Sequence, residues 1–366
     1  MHTMREDSAR PGAGGAPPQD PASSIGRAWW GPPLIAAFGV AAMGFVALAL
    51  DLPIRDPDAR YVGSPLALIG VIAAVFVALD VVPRALRSRS QGGSTLAALA
   101  GVFNARWLGK RGAIVLVSLL SFYATYLAYR NLKSFLPFAV SGDHDLVLLD
   151  LERTLLFGQD PATLLQTLLG TGVAAHGLSV VYLSFLTFVP VSLGVALIWS
   201  SNLRAGLWYV TALSLCWMLG AASYFAVPAQ GPIYAKPALF YGLPETGVSR
   251  LQETLAGHRA EVLADPAATT AVQSVAAFAS LHIAVVFAAA LIAQLLGVRR
   301  GYRIALWAYL GLTALATVYF GWHYVVDDVA GLLIGGFAVV AAAWATGFEL
   351  RPRTAPSLVH TSARAT

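Results

Sequence analysis

Long apolar runs separated by short polar breaks dominate the chain from residue 33 to residue 346. A helix needs about 20 mostly apolar residues to cross the hydrocarbon core of a bilayer. Runs close to that length fall at 33–50, 62–82, 112–130, 177–200, 205–227, 274–297, 303–321 and 324–346. This pattern predicts an all-α polytopic membrane protein with about eight transmembrane helices. Before the first run, residues 1–31 include PGAGGAPPQDPASS, which has no apolar periodicity and reads as a disordered tail. Residues 348–366 form a second tail.

Two longer polar stretches carry helical signals of their own. In HDLVLLDLERTLLFGQDPATLLQTLLG, Asp160-Pro161 reads as an N-cap followed by proline in the first turn, and the leucines suggest helices lying in the interface. In VSRLQETLAGHRAEVLADP, Val248, Leu251, Leu255 and Val262 fall near helical spacing, which predicts a short amphipathic helix.

Composition sharpens the class. Of 366 residues, 57% are hydrophobic and 12% charged, with a mean hydropathy of +0.66. Soluble domains carry about 25% charged residues, so a soluble globular enzyme is excluded. The net charge of +5 does not point to nucleic acid, because the basic residues are scattered through short loops. With eight spans, loops on the side of the termini hold 16 Lys and Arg and the opposite loops 8. The positive-inside rule then places both termini in the cytoplasm and the long segments outside. The basic run from Arg84 to Arg111 belongs to the cytoplasmic side. The single cysteine, Cys216, lies in an apolar run and excludes an internal disulfide. Arginine outnumbers lysine 21 to 3, which fits a GC-rich bacterial genome.

Candidate chemistry concentrates in YFGWHYVVDDVAGLLIGG, Tyr319 to Gly336, where polar groups interrupt an apolar run. Ionisable groups near membrane depth are costly, about 2.5–3.5 kcal/mol each at a helix centre on insertion scales. His323 lies at the start of the eighth run, and His282, in AAFASLHIAVVF, near the outer end of the sixth. Two histidines from different helices therefore share one depth. On a helix, Asp327 would lie one turn after His323 on the same face, able to fix its tautomer and leave the other nitrogen reactive. Asp328 points elsewhere. Gly331 and Gly335 continue the face as a GxxxG pattern suited to close packing. Other readings of the histidines are structural hydrogen bonding and a zinc site of two His and one Asp. Tyr319, Trp322 and Tyr324 read as interfacial aromatics, and Asp143, His144 and Asp145 as a solvated loop cluster, with a metal site as the alternative. Gln230 and Tyr234 are weaker substrate-contact candidates.

At these residues the chain resembles the type-2 phosphatidic acid phosphatase superfamily. That family's second motif, roughly P-S-G-H, is matched by Ala279-Ser280-Leu281-His282, and its third, S-R-x5-H-x3-D, at His323 and Asp327. The S-L-H and H-Y-x-x-D forms are similar to the inositol phosphorylceramide synthase branch. The resemblance covers about residues 113–346. It implies a six-helix phosphatase-like core over 112–347, with 32–111 adding two helices and a basic loop. It also implies that His323 attacks phosphorus to form a phosphohistidine, that Asp327 orients it, and that His282 protonates the leaving oxygen and then activates water or an acceptor alcohol. Ser280 would hold a phosphate oxygen, and no metal or other cofactor is required. The substrate would be a lipid phosphate, with an alcohol as possible second partner.

The chain departs from the pattern at basic positions. The third-motif serine and arginine fall on Ala316 and Thr317, and the first motif is reduced to Lys236-Pro237, with Ala229 in place of its leading lysine. A phosphodiester demands less positive charge than a phosphomonoester dianion, which favours headgroup transfer. Alternatively Arg130 and Lys133, one turn apart at the outer end of the third run, supply the missing charge. The rival readings are a simple phosphatase of phosphatidic acid, diacylglycerol pyrophosphate or a polyprenyl phosphate, and a non-catalytic lipid transporter or scaffold.

Overall fold

The structure, a computed structural model, describes residues 25–56, 65–88 and 94–350, with the side chains of 65–69 outside the description. Among the described residues the chain is all helical, with no strand. Helices α1 (Gly31–Leu50), α2 (Pro65–Ser88), α3 (Thr95–Trp107) and α4 (Lys110–Ala139) come first. Two short helices, α5 (Asp145–Leu155) and α6 (Pro161–Leu169), lead to α7 (Val173–Leu193), which continues as a π-helical stretch to Trp199. Next come α8 (Leu203–Ala226), the single turn α9 (Pro232–Ala235) and the amphipathic α10 (Gly247–Ala264). The chain ends with α11 (Leu281–Leu295), α12 (Arg300–Tyr319) and α13 (Val325–Thr346).

Helix α8 is the centre of the bundle. It is apolar on every side, as a fully enclosed helix must be, and packs against α1, α4, α11 and α13. Its buried Trp208 donates its indole N–H to the Val339 carbonyl of α13 at 2.9 Å, which leaves no unpaired donor there. The α11–α13 contact is closer still. A Cβ at Gly331 would sit 2.4 Å from the Ser280 carbonyl, and one at Gly335 2.6 Å from that of Ala284. The GxxxG pattern thus does the packing job expected of it.

Among the described residues five helical stretches, against the eight expected along the whole chain, are long and apolar enough to cross a membrane: Ala28–Leu50, Lys110–Ala139, Val173–Trp199, Leu203–Ala226 and Val325–Thr346. Of the other expected spans, the one at 62–82 lies partly outside the described residues, and α12 carries Arg300, Arg303 and three tyrosines. The run expected at 274–297 is helical only over the 15 residues of α11. Before it, residues 271–279 enter the core in non-helical form. Non-helical backbone at membrane depth persists where protein buries and satisfies it. Here Gln273 N–H bonds Ser134 Oγ, Ala277 N–H the Ala229 carbonyl, Ala279 N–H Ser223 Oγ, and Ser280 N–H the Asp327 carbonyl.

At the tails, most of the expected 1–31 segment and residues 351–366 lie outside the described residues. Ile25 and Ala28 are buried, so the packed structure begins before residue 31. The basic run has structural partners as well. Arg84 and Arg106 both pair with the buried Asp80, and Arg111 donates to the Leu197, Ile198 and Ser200 carbonyls at the end of the π-helical stretch.

Candidate active site

A cavity of about 220 Å³ opens between α4, α7, α8, α10 and the N-terminal ends of α11 and α13. His282, His323, Arg130 and Lys133 all line it. The two imidazole rings meet edge to face with centroids 5.6 Å apart. Half of the remaining lining residues are aromatic, including Tyr182, Phe185, Trp217, Tyr224, Tyr234 and Trp322.

His282 is the second residue of α11, so the point where the non-helical segment becomes helix sets its position. Its ring packs against Tyr182 and Phe185, at 4.7 and 4.3 Å between centroids, and its Nδ1 has no hydrogen-bond partner. His323 lies in the turn before α13, not within the helix. The expectation that it shares a helix face with Asp327 is therefore wrong in its premise, although the two groups do meet. Asp327 sits in the first turn of α13, where its Oδ2 accepts the Tyr324 backbone N–H at 2.9 Å. The same oxygen lies 3.4 Å from His323 Nδ1. The nearer partner of Nδ1 is the Ala277 carbonyl at 2.9 Å. A backbone carbonyl can only accept, so Nδ1 carries the proton and Nε2 is left with a free lone pair. Burial, reinforced by the Lys133 charge and opposed by the Ala277 bond, pulls the His323 imidazole down to about 3. The ring is then neutral at physiological pH, the form a nucleophile requires.

Arg130 is held by Tyr126 Oη at 2.8 Å and Ser274 Oγ at 3.0 Å. Lys133 places its ammonium 4.8 Å from the centroid of the Tyr224 ring, and no carboxylate pairs with it among the described residues. The structure thus brings these two α4 cations to the histidines. It does not bring the other two phosphate candidates there. Ser280 is fully buried beside Asp328 and does not line the cavity, and Lys236, half-buried at the end of α9, does not line it either. Gln230 and Tyr234, from the same segment as Lys236, do reach the wall.

Several aromatic and acidic residues take roles the sequence does not suggest. Trp322 is buried and stacks on Tyr182 at 5.2 Å with parallel planes, so it walls the cavity and is no interfacial anchor. Tyr319 and Tyr324 are likewise fully buried. Asp328 accepts the Thr317 hydroxyl at 3.0 Å, so the residue at the family's arginine position serves as a donor to this buried carboxylate. Asp145 is also buried, not solvated. It accepts backbone N–H groups from Gln230 and Gly231, each at 2.8 Å, and the Tyr324 hydroxyl at 2.9 Å. Burial raises its carboxyl above the ordinary range, and these donors oppose the shift. Glu152, further along α5, accepts the Val325 N–H at the start of α13, and burial raises it to about 7.

Helix α10 covers the cavity from outside the bundle. Thr246 and Ser249 cap its N-terminus reciprocally, and Val248 N–H bonds Ser179 Oγ of α7 at 3.2 Å. Gln252 donates to the Phe320 carbonyl at 2.8 Å, while Leu251 and Leu255 line the cavity. The amphipathic helix read from spacing is therefore present, with Val248 and Val262 buried. Asp160 stands at the N-cap of α6 as expected, but its carboxylate pairs with Arg153 at 2.8 Å instead of capping. Among the described residues, no group of three or more His, Cys, Asp or Glu side chains is placed to hold a metal ion.

Bundle and cavity together define a helical membrane protein with a paired-histidine, cation-lined site enclosed among its helices. The family model described as PAP2 superfamily matches residues 146–343, more than half of the chain, and the chain belongs to that superfamily. The matched stretch contains both histidines and Asp327 but neither Arg130 nor Lys133. No curated protein and no solved structure matches the chain. Membership points to an enzyme, a phosphatase-type lipid phosphoesterase, integral to a membrane.

Proposed function

We propose that the protein cleaves a lipid phosphate ester in two steps, with His323 as nucleophile. The observation that carries this reading is the convergence of His282, His323, Arg130 and Lys133 on one cavity. Nε2 of His323 attacks phosphorus while Asp327 and the Ala277 carbonyl hold the Nδ1 proton and steady the developing positive charge. His282 gives a proton to the departing oxygen and then takes one from the incoming hydroxyl. Arg130 and Lys133 bind the phosphate oxygens in place of the arginine missing at Thr317. Each charge-assisted contact of this kind is worth about 1.5–3 kcal/mol. Two cations suit a phosphomonoester as well as a diester, so their presence removes the charge argument against a phosphatase.

Transfer to an alcohol is the second reading, and inositol phosphorylceramide synthase-like chemistry falls within it. The aromatic wall and the α10 cover favour it, because stacked ring faces bind a polyol and limit the entry of water. We place the site at the outer face with both termini cytoplasmic, on the strength of the loop-charge asymmetry.

The test uses purified protein with a panel of phosphatidic acid, diacylglycerol pyrophosphate, polyprenyl phosphate and phosphatidylinositol, with and without diacylglycerol or ceramide as acceptor. Release of phosphate supports hydrolysis, and a new phospholipid supports transfer. Either should vanish in His323→Ala and His282→Ala variants. If no panel lipid is processed, or the variants match wild type, the catalytic reading is lost to the transporter or scaffold alternative.

A further inference from the structure

We infer that Asp145 is a positioning residue for this site: one buried carboxylate that fixes the cavity-wall loop at Gln230–Gly231 and the His323 turn relative to each other. The inference rests on the phosphoesterase reading. The three groups bonded to Asp145 come from two segments far apart in sequence. Gln230 N–H meets Oδ2, while Gly231 N–H and the Tyr324 hydroxyl both meet Oδ1. Gln230 lines the cavity itself, and Tyr324 directly follows His323.

The two segments also touch through backbone. Ile233 N–H bonds the Gly321 carbonyl at 2.9 Å. Gly231 has φ +102°, and a Cβ there would lie 2.6 Å from the Trp322 carbonyl, so only glycine allows this approach.

All three partners of Asp145 are donors, so the group must act purely as an acceptor. An ionised carboxylate does this, whereas an amide would turn an N–H against one of them. A buried carboxylate is a costly way to join two loops when apolar packing would serve. What it adds is direction, since three donors are aimed at two oxygens. Glu152, two turns further along α5, accepts the Val325 N–H. Helix α5 thereby holds the residues that follow His323 at two points, the Tyr324 side chain and the Val325 backbone.

The experiment measures turnover of dioctanoyl phosphatidic acid in detergent micelles by the full chain, corrected for folded fraction. Asp145→Asn should lower kcat by about 10²-fold, the scale of an approximately 1 Å misplacement, with KM within a few-fold of wild type. Tyr324→Phe removes one donor without changing charge and should lower kcat by less. The double variant should be no slower than Asp145→Asn alone, because both act through the same contact. A merely structural role would reduce the folded fraction and leave kcat per folded molecule unchanged, and that result overturns the inference. If Asp145→Asn does not fold, Tyr324→Phe decides: unaltered kcat counts against the proposal and a selective fall in kcat supports it. Activity lost in His323→Ala but retained in Asp145→Asn defeats this inference alone. Activity retained in His323→Ala defeats the functional reading with it.

Discussion

Replacing Gly331 by alanine adds one methyl group to the contact between the two helices that carry the site. The new Cβ would lie 2.4 Å from the Ser280 carbonyl oxygen, 3.1 Å from Ile283 Cβ and 3.3 Å from Ala284 N. Ordinary contact begins near 3.4 Å, so relief requires α11 and α13 to separate by about 1 Å. The closest atom belongs to the backbone, and no side-chain rotation can clear it. Overpacking of this kind costs about 1–3 kcal/mol, against a gain of up to about 1 kcal/mol from alanine's better helix propensity. The larger effect falls on chemistry. Ser280 immediately precedes α11, and the separation would move His282 away from His323, for which a displacement near 1 Å costs about 10²-fold in rate. Gly336→Ala is the control, since its Cβ would meet only Phe287 Cε1 at 3.6 Å. Thermal melting in detergent and initial rates on the best panel lipid would be measured for both. Gly331→Ala should melt lower and turn over far more slowly, with Gly336→Ala close to wild type. Equal behaviour of the two variants would refute the packing argument.

Lys133→Met should raise KM by roughly 10- to 100-fold, the equivalent of one charge-assisted phosphate contact, while melting no lower than wild type, because it removes a cation with no carboxylate partner; a drop in melting temperature with unchanged KM would contradict this. The pH dependence of stability should carry a contribution from Glu152, whose carboxyl is raised from 4.5 to about 7. The folded protein holds that proton more tightly than the unfolded chain, so the contribution is full below about pH 4.5 and lost as pH rises to about 7. Melting curves of Glu152→Gln should lack that part of the decline, and identical pH profiles for the two proteins would rule it out. Turnover should survive EDTA, and a loss restored by added zinc would favour the metal reading of the histidines.

The chemistry-bearing residues were legible because polar groups in apolar runs have few innocuous explanations. His282, His323 and Asp327 stood out for that reason, and the spacing of Gly331 and Gly335 correctly marked a helix contact. Arg130 and Lys133 were visible as a pair at one helix end, but their approach to the histidines depends on how α4 packs against α8. Residues 274–279 differ from the helix expected there because SVAAFA has the apolarity of a helix, and nothing local reveals that Ser223 and Ala229 satisfy its backbone instead. Asp145 was misread for the converse reason. Beside Asp143 and His144 it resembles an ordinary polar loop, and its three donors lie about 85 and 180 residues away in sequence. Local pattern carries element type and unusual polarity, whereas long-range hydrogen bonding decides which polar residues serve the site.

In the proposed two-step reaction His323 Nε2 becomes phosphorylated during turnover, and trapping that intermediate is the decisive measurement. Wild-type protein would be mixed with a ³²P-labelled lipid phosphate, quenched in alkali within the first turnover, and mapped by peptide mass. Acid-labile label is expected on the peptide carrying His323 and is absent in His323→Ala. Label on another residue, or full activity in His323→Ala, would contradict it.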